Sequence, residues 1–167
     1  PWRSAYGQES RTERPGSTRD ERLIKTSMYV ATGLYGFIAR PNCDISCLGN
    51  TADELQVFGY QEFYESLDCL VMGGKTYRQL RSSLEWFYAG KPVWVYSRQL
   101  FVPDRPDVFY ADILPTKLIG RFQDEGSKHP WVLGGGEIHS LFLREGLVDE
   151  IRLFIMPLAL GAGVPLF

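Results

Sequence analysis

The stretch at residues 131–139 constrains the fold of this chain more than any other part of its sequence. Three apolar residues at 131–133 run directly into Gly134, Gly135 and Gly136. Apolar residues then recur at the three- and four-residue spacing of an amphipathic helix. This order predicts a strand, a tight turn and the start of a helix.

Such a junction is suited to holding a phosphate group. Glycine tolerates positive φ and lets a ligand approach the main chain closely. The N-terminus of the following helix offers unpaired N–H groups and a partial positive charge. The alternative is a plain strand-to-helix turn without a ligand, and three glycines alone do not decide between the two.

A second strand–glycine–helix junction favours the ligand-binding interpretation. A short apolar strand ends in Gly73 and Gly74, and a helical pattern follows to about Leu84. Lys75 can place a cation beside a phosphate, and Thr76 can cap the helix or hydrogen-bond the phosphate.

Neither of the two commonest nucleotide-binding motifs is present. The Gly-Lys-Thr run at 74–76 invites assignment as a P-loop, but the first glycine of that motif would fall at Cys69. The dinucleotide fingerprint G-x-G-x-x-G fails because His139 occupies its last glycine position.

A third strand, at residues 93–96, ends in Ser97 and Arg98. Open α/β sheets bind ligands at the carboxyl ends of their strands, where a hydroxyl and a basic side chain suit an anion. Taken alone, Arg98 is more typical of a solvated surface residue. Its functional interpretation therefore depends on the other two strand ends.

Strand and helix patterns alternate along the chain, which predicts an α/β fold with a mainly parallel sheet. The further strand segments lie at 28–31, 37–39, 69–72, 108–110 and 151–155, and further helical patterns lie at 58–67 and 116–124. If the three glycine- and hydroxyl-bearing strands are neighbours, their ends line one edge of the sheet. Two helix N-termini with Lys75 and Arg98 fit a ligand with several phosphates, of which NADPH is an example.

Length and composition predict one globular domain over residues 23–167, preceded by a solvated, mobile tail over residues 1–22. The net charge of −2 gives no reason to expect nucleic acid or a membrane surface as a partner. The absence of a long apolar run or a signal-peptide pattern predicts a cytoplasmic protein. The cysteines and histidines lack the spacing of metal ligands, so no metal site is expected.

The chain resembles the dihydrofolate reductase-like family, in the branch of the reductase domain of bacterial riboflavin-biosynthesis deaminase-reductases. The matching motifs are VATGLYGFIA at 30–39, VMGGKTY at 71–77, KPVWVYSR at 91–98, VLGGGE at 132–137 and GLVDEIRL at 146–153. They cover residues 25–167 in the family's order and spacing, so together they are specific although each is weak alone.

The resemblance implies a mixed, mostly parallel sheet with flanking helices, NADPH as hydride donor and often a homodimer. It implies that one set of residues surrounds the phosphates of the cofactor: Gly73, Gly74, Lys75, Thr76, Ser97, Arg98, Gly134, Gly135, Gly136 and Glu137. It places Ala31, Ile38 and Ala39 near the nicotinamide.

Three departures from the family pattern stand out. Tyr35 replaces the usual aspartate before Gly-Phe-Ile-Ala, which removes a polar group from the expected substrate side. Gly74 replaces the usual arginine, which removes a cation near the phosphates. The family continues beyond the Pro-Leu-Phe that ends at Phe167 with a further strand or hairpin, so we expect a sheet edge that something else must cover.

These observations predict an NADPH-dependent reductase of a small heterocyclic substrate, pterin- or pyrimidine-like. No catalytic acid is assigned, because the carboxylate of true dihydrofolate reductases would fall near Val57. Tyr60, Glu62 and Asp44 are close in sequence, but each is more typical of a solvated or packing residue. The alternatives are a non-catalytic nucleotide-binding or interaction protein on the same fold, and a truncated, poorly folding fragment.

Overall fold

The computed structural model of the protein describes residues 23–48, 58–82 and 86–167. The predicted tail at residues 1–22 and the position of Val57 lie outside these ranges. Within them, no helix has both the length and the apolar character needed to cross a bilayer.

Strands and helices alternate along the described chain. The strands are β1 (Ser27–Thr32), β2 (Phe37–Ala39), β3 (Cys69–Gly73), β4 (Val93–Tyr96), β5 (Val108–Ala111), β6 (Pro130–Gly134), β7 (Glu150–Ile155) and β8 (Val164–Pro165). The helices are α1 (Tyr60–Glu65), α2 (Gly74–Arg81), α3 (Pro115–Asp124) and α4 (Gly136–Arg144), with a short 3₁₀ turn at Ser46–Leu48.

Six strands form one sheet in the order β5-β4-β3-β6-β1-β7, and every neighbouring pair in it is parallel. The remaining strands, β2 and β8, form a separate antiparallel pair. The predicted α/β class with a mostly parallel, helix-flanked sheet is therefore confirmed. From the sequence, the strand at 37–39 is predicted to continue β1 after a break. In the structure this strand, β2, lies outside the six-stranded sheet and pairs with β8 instead.

Alternating apolar side chains divide the core between the two faces of the sheet. In β3, Leu70 and Met72 pack with Phe63 of α1 and Tyr77 of α2. On the opposite face, Val71 packs with the residues of α3 and α4, including Phe142. The central strands are apolar at nearly every position because helices cover both of their faces.

The connections leave β3 and β6 in opposite directions. After β3 the chain passes through α2 to β4 on one side, whereas after β6 it passes through α4 to β7 at the other edge. Since β3 and β6 are neighbours, a crevice opens between them at their carboxyl ends. A crevice at such a reversal of strand order is where open α/β sheets bind ligands.

One of the two roles predicted for Thr76 is wrong. Thr76 does not cap α2, because the helix begins at Gly74 and Gly73 occupies the N-cap position. The C-terminal helix begins at Gly136, two residues before the apolar pattern at Ile138. In both cases the glycine itself is the first helical residue, so the helix starts closer to the strand than side-chain periodicity indicates.

Candidate nucleotide-binding site

The crevice between β3 and β6 is narrow, and its walls can approach each other closely because glycine residues line it. A Cβ atom on Gly135 would lie 3.5 Å from Oγ1 of Thr76, and a Cβ atom on Gly73 would lie 3.1 Å from Cγ1 of Ile138. The starts of α2 and α4 therefore stand side by side. Neither N-cap residue makes a side-chain capping bond. The first N–H groups of two helices thus face one crevice, an arrangement that favours anions.

Gly134 shapes the turn after β6 and has no room for a side chain. Its φ is +120°, and a Cβ atom there would lie 2.8 Å from Cε1 and Nε2 of His139. The peptide bond between Gly134 and Gly135 is cis. The register with β3 also shifts here, since Val71 pairs with Val132 but Met72 pairs with Gly134.

His139 fills the space beneath this turn. Its imidazole is 1% exposed, and neither ring nitrogen has a hydrogen-bond partner among the described residues. Burial lowers the pKa of His139, and the nearby backbone groups of Val132, Leu133 and Leu166 only partly offset this effect. The side chain therefore packs as a neutral ring and supports the turn from below.

The C-terminal segment closes the crevice from the side of α4. A Cβ atom on Gly136 would overlap the carbonyl oxygen of Pro165 and lie 3.4 Å from the carbonyl oxygen of Leu166. The N–H of Leu166 donates to the carbonyl of Gly36, at 2.9 Å. The segment thus connects the glycine turn to the chain between β1 and β2.

The end of β4 lies beside the start of α2. A Cβ atom on Gly74 would lie 3.1 Å from Oγ of Ser97 and 3.4 Å from Nη1 of Arg78. The carbonyl of Ser97 accepts a hydrogen bond of 2.8 Å from the hydroxyl of Tyr110 on β5, and its own hydroxyl donates to the carbonyl of Gln99. The Ser97 hydroxyl is thereby held at the edge of the site.

Arg98 and Glu137 connect β4 to α4 across the end of β3. Nη2 of Arg98 lies 3.5 Å from Oε2 of Glu137, and the two side chains are 89% and 75% exposed. An ion pair this long and this exposed contributes little to stability. Arg98 is therefore free to turn toward a ligand, whereas Glu137 places a negative charge in the first turn of α4.

An open cleft of about 470 Å³ adjoins the start of α2. Its lining residues are Asn42, Cys43, Asp44, Lys75, Arg78 and Gln79. Nε2 of Gln79 donates to the carbonyl of Cys43 at 2.8 Å, which ties the loop after β2 to the helix. Hydrogen bonds from Ser46 and Arg40 lower the pKa of Asp44, so this carboxylate is already engaged.

The three residues assigned to the nicotinamide side lie around the end of β1. Ala31 is in β1, whereas Ile38 and Ala39 are in β2. Ala39 is buried and pairs with Val164 of β8. The predicted residues at 73–76, 97–98 and 134–137 thus lie at the carboxyl ends of β3, β4 and β6, whereas Ile38 and Ala39 lie on β2, outside the six-stranded sheet. The role of all these residues in binding a cofactor remains a prediction.

Aromatic rings flank Ala31 on the face covered by α1. Phe154 of β7 pairs in register with Ala31, and its ring lies 4.9 Å from that of Phe58 and 4.6 Å from that of Tyr29. Phe58 is 38% exposed. This side of the site therefore offers partly accessible ring faces suited to a flat heterocycle.

No proton donor stands out among the described residues. Burial raises the pKa of Tyr60 to about 12, and Tyr35 is 69% exposed. Each carboxylate with a resolved pKa shift, in Asp44, Asp104 and Glu150, has a lowered pKa. No group of three or more potential metal ligands occurs in the described ranges.

Sequence reasoning missed two parts of this site. Arg78 lies four residues after Gly74, a spacing that places both on one helical face, so the helix pattern could have indicated it. The segment at 163–166 carries no comparable signal, because its position depends on long-range packing against Gly136 and Ala39.

Comparison with known proteins places this geometry in a family. The model of the RibD C-terminal domain matches residues 58–167, about two thirds of the chain. The uncharacterised protein YwjB of Bacillus subtilis is 28% identical over 144 residues, which span 86% of this chain and 82% of YwjB. The uncharacterised YyaP of the same organism is 27% identical, over 83% of this chain and 77% of its own length.

Solved structures show the same fold. A Shewanella protein assigned to riboflavin biosynthesis superposes with a TM-score of 0.76 at 29% identity, over 86% of this chain and 83% of its own. A pyrimidine reductase-like protein of Corynebacterium diphtheriae gives 0.66 at 16% identity, over 86% and 79% of the two chains. The bifunctional pyrimidine deaminase and uracil reductase of Thermotoga maritima superposes with a TM-score of 0.65 at 17% identity. The superposition covers 86% of this chain but only 48% of that protein. The last two likenesses show the fold alone, but the family model matches most of this chain, which therefore belongs to the RibD C-terminal domain family.

Proposed function

We propose that the protein is an NADPH-dependent reductase that transfers hydride to a small heterocyclic substrate, pterin- or pyrimidine-like. The observation that carries this proposal is the convergence of three strand ends. The ends of β4, β3 and β6 are neighbours, and they bring two helix N-termini, Ser97 and the cations Lys75 and Arg98 to one edge. A dinucleotide with several phosphates matches such a set of donors and cations.

The residues present fit the cofactor in two regions. Gly73 and Gly135 let its pyrophosphate approach the main chain of both helix starts, since a Cβ atom at either position would narrow the crevice. Ala31 has a small side chain and pairs in register with Phe154, a combination that suits a flat ring beside β1. When bound, the nicotinamide would supply the hydride, and the chain would supply orientation.

The substrate would be held against the aromatic side of the site. The partly exposed ring of Phe58, with Phe154 beside it, offers a stacking surface on the α1 face next to Ala31. Reduction of a C=N or C=O group also needs a proton, from a side chain or from water. The proposed relationship is to 5-amino-6-(5-phosphoribosylamino)uracil reductase and dihydrofolate reductase.

Ligand-induced stabilisation tests the cofactor part of this proposal. NADPH should raise the melting temperature of the wild-type protein by mass action. The shift should be much smaller in Arg98→Ala and unchanged in Arg144→Ala, which removes the same charge at the opposite end of α4. No shift in the wild-type protein, or equal shifts in the two variants, would contradict the site.

Turnover tests the catalytic part. We expect NADPH oxidation with at least one member of a panel of pterins and ribosylated pyrimidines. The second candidate function, non-catalytic nucleotide binding, is favoured by two departures from the family pattern, because the exposed Tyr35 stands where an aspartate is usual and Gly74 stands where an arginine is usual. A thermal shift with NADPH, without oxidation across the whole panel, would support that alternative.

The proposal includes self-association into a homodimer. Ile151, Leu153 and Ile155 are exposed and alternate along β7, the last strand of the six-stranded sheet, so they form an apolar strip on one face of its edge. A second copy of the chain is the occupant we propose for this strip. Sedimentation velocity over a concentration series would detect the dimer.

A further inference from the structure

The start of α2 lacks a side chain where the family usually carries an arginine, yet a guanidinium group lies there. Residue 74 is glycine, and its absent Cβ atom would lie 3.4 Å from Nη1 of Arg78. Residues four apart on a helix are neighbours on its surface. Arg78 therefore extends back along α2, one turn toward the N-terminus, and fills the space above Gly74.

This guanidinium is separated from the crevice that suits a pyrophosphate. The crevice lies between β3 and β6, where Thr76 approaches Gly135. Arg78 lies on the other side of β3, where a Cβ atom on Gly74 would lie 3.1 Å from Oγ of Ser97 on the β4 side. A phosphate held here would be an additional group, one strand farther along the sheet edge.

The charges around Arg78 favour an anion. Arg78 and Lys75 both line the open cleft, and no acidic side chain of the described chain forms an ion pair with either of them. Among the described residues that line the cleft, Asp44 carries the one carboxylate, and it is paired with Arg40. Arg78 is exposed, which suits a phosphate monoester because such a dianion stays partly hydrated.

We propose that Arg78, with Ser97 beside it, binds the ribose-linked phosphate monoester of the cofactor and so makes the protein select NADPH over NADH. Arg78 takes over the charge that is missing at Gly74, from one helical turn farther along the chain. This inference rests on the proposed function, because it names the residue that would read one group of the proposed cofactor.

The test compares two variants that carry the same charge change on the same helix. Arg78→Gln should weaken NADPH binding about ten-fold or more, since a hydrogen bond to a charged group contributes on that order. Binding of NADH should change by less than about two-fold, because NADH lacks the phosphate that Arg78 contacts. Arg81→Gln is the control, because Nε of Arg81 lies 2.8 Å from Oδ2 of Asp104 and Arg81 does not line the open cleft. Both dissociation constants are measured by fluorescence titration, with thermal melts to verify folding.

A second variant tests the relocation directly. Adding Gly74→Arg to Arg78→Gln should restore the preference for NADPH, because the backbone at residue 74 does not have positive φ and the guanidinium of Arg78 has been removed. The side chain of Ser97, 3.1 Å from the new Cβ atom, must shift by a few tenths of an ångström. A folded double variant that binds both nucleotides equally would count against the assignment. If the wild-type protein prefers NADPH and the Arg78→Gln variant keeps this preference, the role assigned to Arg78 is wrong and the proposed function stands. A wild-type protein that binds neither nucleotide would overturn the proposed function as well.

Discussion

Replacing Gly136 by alanine should destabilise the protein through a contact far away in sequence. The added methyl group would overlap the carbonyl oxygen of Pro165 and approach that of Leu166 to 3.4 Å. Both are backbone atoms, so no flexible side chain can move aside. Either the C-terminal segment or the first turn of α4 must shift.

The magnitude follows from two opposing effects. Overpacking of a closely packed contact costs about 1–3 kcal/mol, and a rigid backbone neighbour favours the upper part of that range. Reducing the freedom of the unfolded chain returns about 0.4–1 kcal/mol. The expected net loss is therefore about 1–2 kcal/mol, which lowers the melting temperature of a domain of this size by about 2–8 °C.

A matched substitution isolates the clash. Gly120 lies within α3, and a Cβ atom there would meet nothing within 4 Å. Gly120→Ala should therefore raise stability by about 0.8–1 kcal/mol, because alanine has the higher helix propensity. Thermal melts of both variants followed by circular dichroism give the comparison. Gly120→Ala is expected to melt above the wild-type temperature. If Gly136→Ala also melts at or above that temperature, the close contact between Pro165 and α4 is not present in the protein.

Three further predictions concern charge, pH and association. Glu137→Gln should tighten NADPH binding by about two- to five-fold at low salt, because it removes a negative charge from the first turn of α4, and the gain should shrink as salt is added; a fluorescence titration that shows no gain would place Glu137 away from the ligand. Burial, with help from the charge of Lys25, lowers the pKa of His129, so the unfolded chain binds the proton more readily and stability falls as pH drops below about 6.5. In His129→Gln, the melting temperature between about pH 5 and 6.5 should depend less on pH than in the wild-type protein. An unchanged slope of melting temperature against pH would show that protonation of His129 does not affect stability in this range. Leu153→Lys should move sedimentation toward the monomer and make the melting temperature less dependent on protein concentration, because the stabilisation by the partner copy is lost, and an unaltered sedimentation profile would remove β7 from the interface.

The elements of the sheet could be predicted from sequence because their signals are local. β3, β4 and β6 are short apolar runs that end in glycine or a polar residue, and these ends mark the edge where the candidate site lies. Their adjacency could not be derived in the same way. It depends on crossovers that carry β6 back between β3 and β1, and this choice is made by packing across the whole sheet.

Two smaller features could not be predicted from the sequence, for a different reason. The two residues of β8 include Pro165, which is a poor strand former, so propensity gives no indication of the pairing with β2. Thr76 has the chemistry of a capping residue, yet the helix begins ahead of it, because Gly73 needs no side chain to take the extended N-cap conformation. Local chemistry therefore located the start of the helix, but of the two roles it offered for Thr76, the capping role is wrong.

The short segment at 163–166 contacts both β2 and the start of α4. Gly163 packs against the carbonyl of Ala39, Val164 pairs with that residue, and the carbonyl of Pro165 lies on Gly136. A single isotopic label on one methyl group of Val164 would therefore act as a spectroscopic reporter for either half of a bound dinucleotide. Fragments that carry only the adenine portion or only the nicotinamide portion could be distinguished by the direction in which this one resonance moves.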